Sequence, residues 1–160
     1  IQVCIHECRA VASDDIYIGT LSPKRTLRLL NLAEIIDEGP SVTDFERLDL
    51  AVSMLFLAGS HSYVISRAIA LAARERGFDG IVYPSFFSLL RTGSVPYETI
   101  YGLPFRRLDE MRGYEEQKII RNVAIFGRPI EAGILEVRCI NRLILRRVEY
   151  DVRFGPVVLG

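Results

Sequence analysis

The chain carries no excess charge of either sign: Lys and Arg total 20, and Asp and Glu total 20, over 160 residues. A neutral balance gives no electrostatic reason to expect direct binding to nucleic acid or to an anionic membrane. Long apolar runs are also missing. The longest, Leu50 to Gly59, is interrupted by Ser53, and it is about half of the ~20 residues that a membrane-spanning helix needs. No basic segment leads into an apolar one, so no secretory signal is visible. Cysteine is scarce. Cys4, Cys8 and Cys139 make an odd set without a signal, which argues against a disulfide framework and for reduced thiols in the cytoplasm. The motif fingerprints are absent too: no G-x-G-x-x-G, no P-loop, no G-x-S-x-G and no H-E-x-x-H. No repeat at a period of about 20 to 50 residues is present.

What is there reads as one domain with an ordinary core. Val3 to Arg9 alternates like a half-buried strand. Ile16 to Leu21 follows as a second strand after the Asp14-Asp15 turn signal. Lys24 to Glu34 is a short helical or turn-rich stretch. Thr43 and Glu46 form a T-x-x-E capping box, and Leu48, Val52, Leu55 and Phe56 then recur at helical spacing up to Gly59. A second helix starts near Ser62, with Val64, Ile65, Ala68, Ile69 and Ala72 as its buried stripe and Gly77 as its stop. Ile81-Val82-Tyr83 is a short strand ended by Pro84. Residues 86–118 form a surface excursion, too long for a simple connection. Asn122 to Phe126, Ile134 to Ile140 and Arg147 to Phe154 read as strands. Strands at the end, after two central helices, predict an α+β fold. The apolar pattern is already under way at Ile1, with no Met before it, so a preceding segment is expected.

Few residues stand out for chemistry. Cys4, His6 and Cys8 would share a strand face, but structural zinc takes four ligands from separated pairs, and the only other histidine is His61. No metal site is therefore expected. Glu7 sits in an apolar segment, where a carboxylate needs a partner or a task. Ser85 lies at the carboxyl end of a strand, and Asn122 opens another. A hydrolase pairing Ser85 with His61 has no motif behind it.

The stretch YVISRAIALAARERGFDGIVYPS, Tyr63 to Ser85, resembles the later part of the RES domain, a family named for its Arg, Glu and Ser. NVAIFGRPI, Asn122 to Ile130, with the later CINRL and FGPV, is similar to longer members. The opening CIHECR is similar to the segment bearing the family Glu. The resemblance implies Glu7 as the family Glu and Ser85 as the family Ser. The family Arg lies N-terminal to the Glu in a segment without a match here, and Arg9 does not replace it.

The resemblance also implies an ADP-ribosyltransferase-like mixed sheet core with two central helices, in one RES-type domain over residues 1–160. The implied activity is cleavage of the nicotinamide–ribose bond of NAD, with phosphate or water as acceptor. NAD is then the substrate and no resident cofactor is needed. Glu7 would stabilise the ribosyl cation and Ser85 would hold the leaving geometry. Tyr83 and Asn122 would bind substrate, Tyr83 either by stacking on nicotinamide or as a core tyrosine. Several members are bacterial toxins paired with a helix-turn-helix antitoxin, so such a partner is expected, as is a homo-oligomer. The competing reading is a non-catalytic interaction module or an inactive remnant of the family.

Overall fold

A computed structural model describes residues 1–36, 39, 41–43, 47–58, 62–88, 99–100, 103–104, 110, 113 and 117–146. Its centre is a three-stranded mixed sheet in the order β2–β3–β6. The strands are β2 (Leu29–Asn31), β3 (Gly80–Pro84) and β6 (Arg121–Ile125). β2 runs parallel to β3, with Leu29 opposite Gly80, and β6 runs antiparallel, with Tyr83 opposite Asn122. A separate antiparallel ribbon joins β1 (Ile16–Pro23) to β7 (Leu135–Leu143), with an irregularity between Thr20 and Leu21. With its helices the molecule is an α+β fold in a single domain.

Two helices pack on β3. The first, α2 (Leu48–Leu57), follows Arg47. The second, α3 (Tyr63–Glu75), has Ser62 as its N-cap. Its end follows the αL stop expected of glycine: Gly77 has φ 77°. The Phe78 N–H donates to the Ala73 carbonyl at 3.1 Å, and the Gly77 N–H donates to that of Arg74 at 3.0 Å. This is the double bond of a Schellman stop, and it turns the chain directly into β3. Gly80 is needed for another reason. A Cβ there would overlap the Ala124 carbonyl oxygen across the β3–β6 ladder.

The carboxylate of Asp79 anchors the sheet edge. Arg25 donates to both of its oxygens, at 2.6 and 2.9 Å, and the Arg28 N–H donates at 2.8 Å. The Asp79 N–H returns a bond to the Arg28 carbonyl at 2.7 Å. The Arg28 guanidinium lies 4.4 Å from the centroid of the Phe78 ring. Together these contacts bring the chain before β2 alongside β3, so β2 is a strand where the sequence predicts a turn-rich or helical stretch. Its pairing partner lies about fifty residues away, and no local pattern reports it.

Three further expectations are corrected. Residues Gln2–Glu7 form a helix, α1, not a strand. Alternation over seven residues also fits a helix, because Val3, His6 and Glu7 lie at i, i+3 and i+4 on one face. Val3 is buried there, while Cys4 and Cys8 are exposed one turn apart. Second, α2 does not start at the Thr43 box. Arg47 has extended backbone, φ −67° and ψ 129°. Its buried side chain pairs with Asp49 and donates to the Ile36 carbonyl. Residues 44–46 and Gly59 lie outside the described residues. Third, the covered side of α3 is Ser66, Ile69, Ala70, Ala72 and Ala73; Ile69 and Ala72 belong to the expected stripe, whereas Val64, Ile65 and Ala68 are exposed. Apolar residues occur on both sides of this helix. The side with small residues approaches the sheet more closely.

The strands read at Ile16, Ile81, Asn122 and Ile134 are present. Within residues 86–118, the described residues include a short antiparallel pairing of β4 (Thr99–Ile100) with β5 (Leu103–Pro104). Most of that excursion, and the strand read at residues 147–154, lie outside the described residues. Among the described residues no helix is long and apolar enough to cross a membrane.

Candidate active site

Asn122 lies opposite Tyr83 on the neighbouring strand, and Ser85 comes just after β3 ends at Pro84, so that Ser85 and Asn122 present one face to Glu7. The last turn of α1 brings Glu7 over this face. Glu7 Oε1 accepts a hydrogen bond from the Ser85 hydroxyl at 2.5 Å and another from Asn122 Nδ2 at 2.6 Å. Residues 7, 85 and 122 thus meet at one oxygen atom. Glu7 is exposed as a residue, and among the described residues its other oxygen, Oε2, has no hydrogen-bond partner.

The end of α1 is built by an unusual residue. Arg9 has φ 52°, a left-handed conformation that costs a non-glycine residue about 1–2 kcal/mol. It lets the Ala10 N–H donate to the Ile5 carbonyl and the Arg9 N–H to that of His6, both at 3.0 Å. The helix therefore stops just after Glu7. On the same face, the His6 ring stacks on Phe87 at 5.4 Å between centroids. Phe86 meets Phe87 edge-on at 5.0 Å.

Ser85 is 2% exposed, the most buried large or polar side chain of the site. It sits in a turn tied to the chain before β6. The Ser85 N–H donates to the Ile120 carbonyl at 2.8 Å. Ser88 completes the tie: its hydroxyl donates to the Ser85 carbonyl at 2.8 Å and accepts from the Ile120 N–H at 3.1 Å. The sequence alone leaves it open whether Ser85 or Ser88 faces Glu7. The structure turns Ser85 to the carboxylate and Ser88 to the backbone. The role of Ser88, and that of the Phe87 N–H, which donates to Ser85 Oγ at 3.1 Å, escaped the sequence reading. The S-x-x-S spacing after Pro84 was the available hint of such a turn.

Tyr83 is partly buried. Its ring stacks on Phe56 of α2 at 4.9 Å, so one ring face is already covered. Burial first, and the nearby Glu7 charge second, push its hydroxyl above the ordinary value, against a lowering contribution from Asn122. Tyr83 therefore stays protonated and is a donor at neutral pH. His61, the partner in the hydrolase reading, lies outside the described residues, and the Ser85 proton is directed to Glu7. Cys4, His6 and Cys8 do not converge: His6 is on Phe87 while both thiols face solvent.

The arrangement defines a class of site: an exposed carboxylate fixed by neutral donors at the end of a sheet, suited to facing a positive charge that develops on a bound substrate. The family model described as the RES domain matches residues 1–99, more than half of the chain, and spans both Glu7 and Ser85. The chain belongs to the RES-domain family. No curated protein and no solved structure gives a match.

Proposed function

We propose that the protein cleaves the nicotinamide–ribose bond of NAD, with Glu7 as the reacting carboxylate. The observation that carries this reading is the meeting of Glu7, Ser85 and Asn122 at one carboxylate oxygen, which leaves the other oxygen of this exposed residue without a hydrogen-bond partner among the described residues. In the reaction the C1′–N1 bond breaks and its electron pair leaves with nicotinamide. That pair neutralises the pyridinium, so the leaving group needs no proton and the site needs no general acid. The ribose becomes an oxocarbenium-like cation, as in glycoside cleavage. A carboxylate fixed beside it stabilises the charge as it develops. Phosphate then adds to C1′ to give ADP-ribose 1-phosphate, or water adds and releases one proton to give ADP-ribose.

Tyr83, a neutral donor next to Glu7, orients the ribose hydroxyls. In this reading the sheet is the core of an ADP-ribosyltransferase-like fold. The protein is then a toxin-like enzyme that acts on cytoplasmic NAD, in bacteria, and is held in check by a helix-turn-helix antitoxin. The test is product analysis after incubation with NAD, with and without phosphate. The reading expects free nicotinamide when phosphate is present, together with ADP-ribose 1-phosphate if phosphate is the acceptor, and free nicotinamide with ADP-ribose in both cases if water is. NAD recovered intact by the folded protein would contradict it, and a non-catalytic member of the family would then be the better description.

A further inference from the structure

Resting on the reading of Glu7 as the reacting carboxylate, we infer that Asn122 and Ser85 are positioning residues: they act through Glu7 Oε1 and leave Oε2 alone to meet the substrate. Hydrogen-bond capacity carries this. A serine hydroxyl has one proton to give. Ser85 gives it to Glu7 Oε1, and its oxygen accepts from the Phe87 N–H. No proton remains for an amide or ribose of the substrate.

Burial points the same way. At 2% exposure, Ser85 Oγ cannot be approached by a ribose carbon without opening the turn, so neither direct substrate contact nor covalent attack fits. The turn is held closed by the backbone and Ser88 bonds to Ile120. Asn122 supplies the second donor from the next strand. A glutamate at the end of a six-residue helix has three rotatable side-chain bonds. Two donors converging on one of its oxygens, from two sides, fix which oxygen faces outward. A charge-stabilising group is effective only if it is already in place as the charge forms, so the effect of these donors belongs to the chemical step and not to binding.

Asn122→Asp is the most informative variant. It keeps the shape but replaces the donor with a second carboxylate against Glu7. Two carboxylates in contact share one proton. The inference expects kcat for nicotinamide release to fall roughly ten- to a hundredfold near neutral pH, with KM for NAD close to that of the parent. Activity should partly recover as the pH is lowered and the shared proton restores a donor. Asn122→Ala should be slow without that recovery. A raised KM with kcat intact, or an Asp variant that shows no acid recovery, would overturn the assignment.

A second readout needs no NAD. In the ligand-free protein, the side-chain amide protons of Asn122 should shift in the NMR spectrum on Glu7→Ala. Glu7 is exposed, and its loss should leave the fold intact. Unchanged Asn122 amide signals would refute the inference even in an active enzyme. A parent that releases no nicotinamide would instead refute the function while the amide shift still stood.

Discussion

Two carboxylates in this molecule are each gripped by residues far away in the chain, and the grips differ in kind. Asp79 meets cations. Arg25 occupies both of its oxygens, the Arg28 N–H adds a third bond, and the side chain is 18% exposed. Its charge is compensated and it joins strands. Among the described residues Glu7 meets only neutral donors, both on one oxygen. Its charge is oriented but not cancelled, and it remains available to a cation that forms nearby. The difference teaches how to separate a structural acid from a reacting one. The number of bonds is similar; what matters is whether the partners neutralise the charge and whether an oxygen is left open.

The change that breaks the comparison most completely is at Gly80, since β3 carries both regions. Gly80→Ala forces a methyl group against the Ala124 carbonyl. Overpacking typically costs about 1–3 kcal/mol and occasionally more, and here the group in the way is backbone. Urea denaturation should show a greatly lowered midpoint or no folded baseline, and a variant as stable as the parent would mean that the β3–β6 ladder is more open than described.

Next in size is Asp79→Asn, which sharpens the contrast. It removes the charge that Arg25 grips and should lower the denaturation midpoint, by less than Gly80→Ala does. The folded fraction should keep its nicotinamide-release rate. A variant with parental stability and lost activity would reverse the roles assigned to the two acids.

The same acid predicts a pH dependence. Hydrogen bonds from Arg25 and then from the Arg28 backbone hold the Asp79 carboxyl at about 2, against an ordinary 3.8. A group whose pKa is lower when folded stabilises the fold above the unfolded value. That contribution is lost as the pH falls through the folded value. Stability should therefore decline between roughly pH 4 and pH 2, and Asp79→Asn should flatten this part of the curve. Added salt should weaken the effect, because the pair is near the surface. An unchanged acid limb in the variant would assign it to other carboxylates.

The smallest expected effect is at Arg9. Arg9→Gly relieves the left-handed conformation but frees the unfolded chain. The net should be a stabilisation of less than about 1 kcal/mol, read as a slightly higher Tm. A clear loss of Tm would show that the Arg9 side chain itself holds the end of α1.

Much of this contrast was legible in the sequence, and the rest was hidden for definite reasons. Tyr83 and Asn122 sit on strands, and Ser85 directly after one, whose apolar runs and bounding Pro and Gly are local signals, so β3 and β6 are legible in the sequence. The family resemblance marked Glu7 and Ser85, and the structure brings them together. The element carrying Glu7 was misread because two periods fit seven residues. β2 is not legible because its support, the parallel ladder to β3 and the grip on Asp79, comes from residues far away in the chain. The expected stripe of α3 is right at Ile69 and Ala72 and wrong at Val64, Ile65 and Ala68, because Val64 and Ile65 are as apolar as Ile69 and only packing against the sheet distinguishes them. The contact between Asn122 and Glu7 spans more than a hundred residues, and no spacing rule reaches that far.

The most direct measurement is the rate of nicotinamide release from NAD by the protein and by Glu7→Gln, side by side. The amide keeps the shape of Glu7 and removes the charge that would face the ribosyl cation. The parent should release nicotinamide, and Glu7→Gln should do so about 10²–10³ times more slowly with an unchanged Tm. A folded Glu7→Gln variant that works at close to the parental rate would contradict the assignment of the exposed carboxylate as the reacting group.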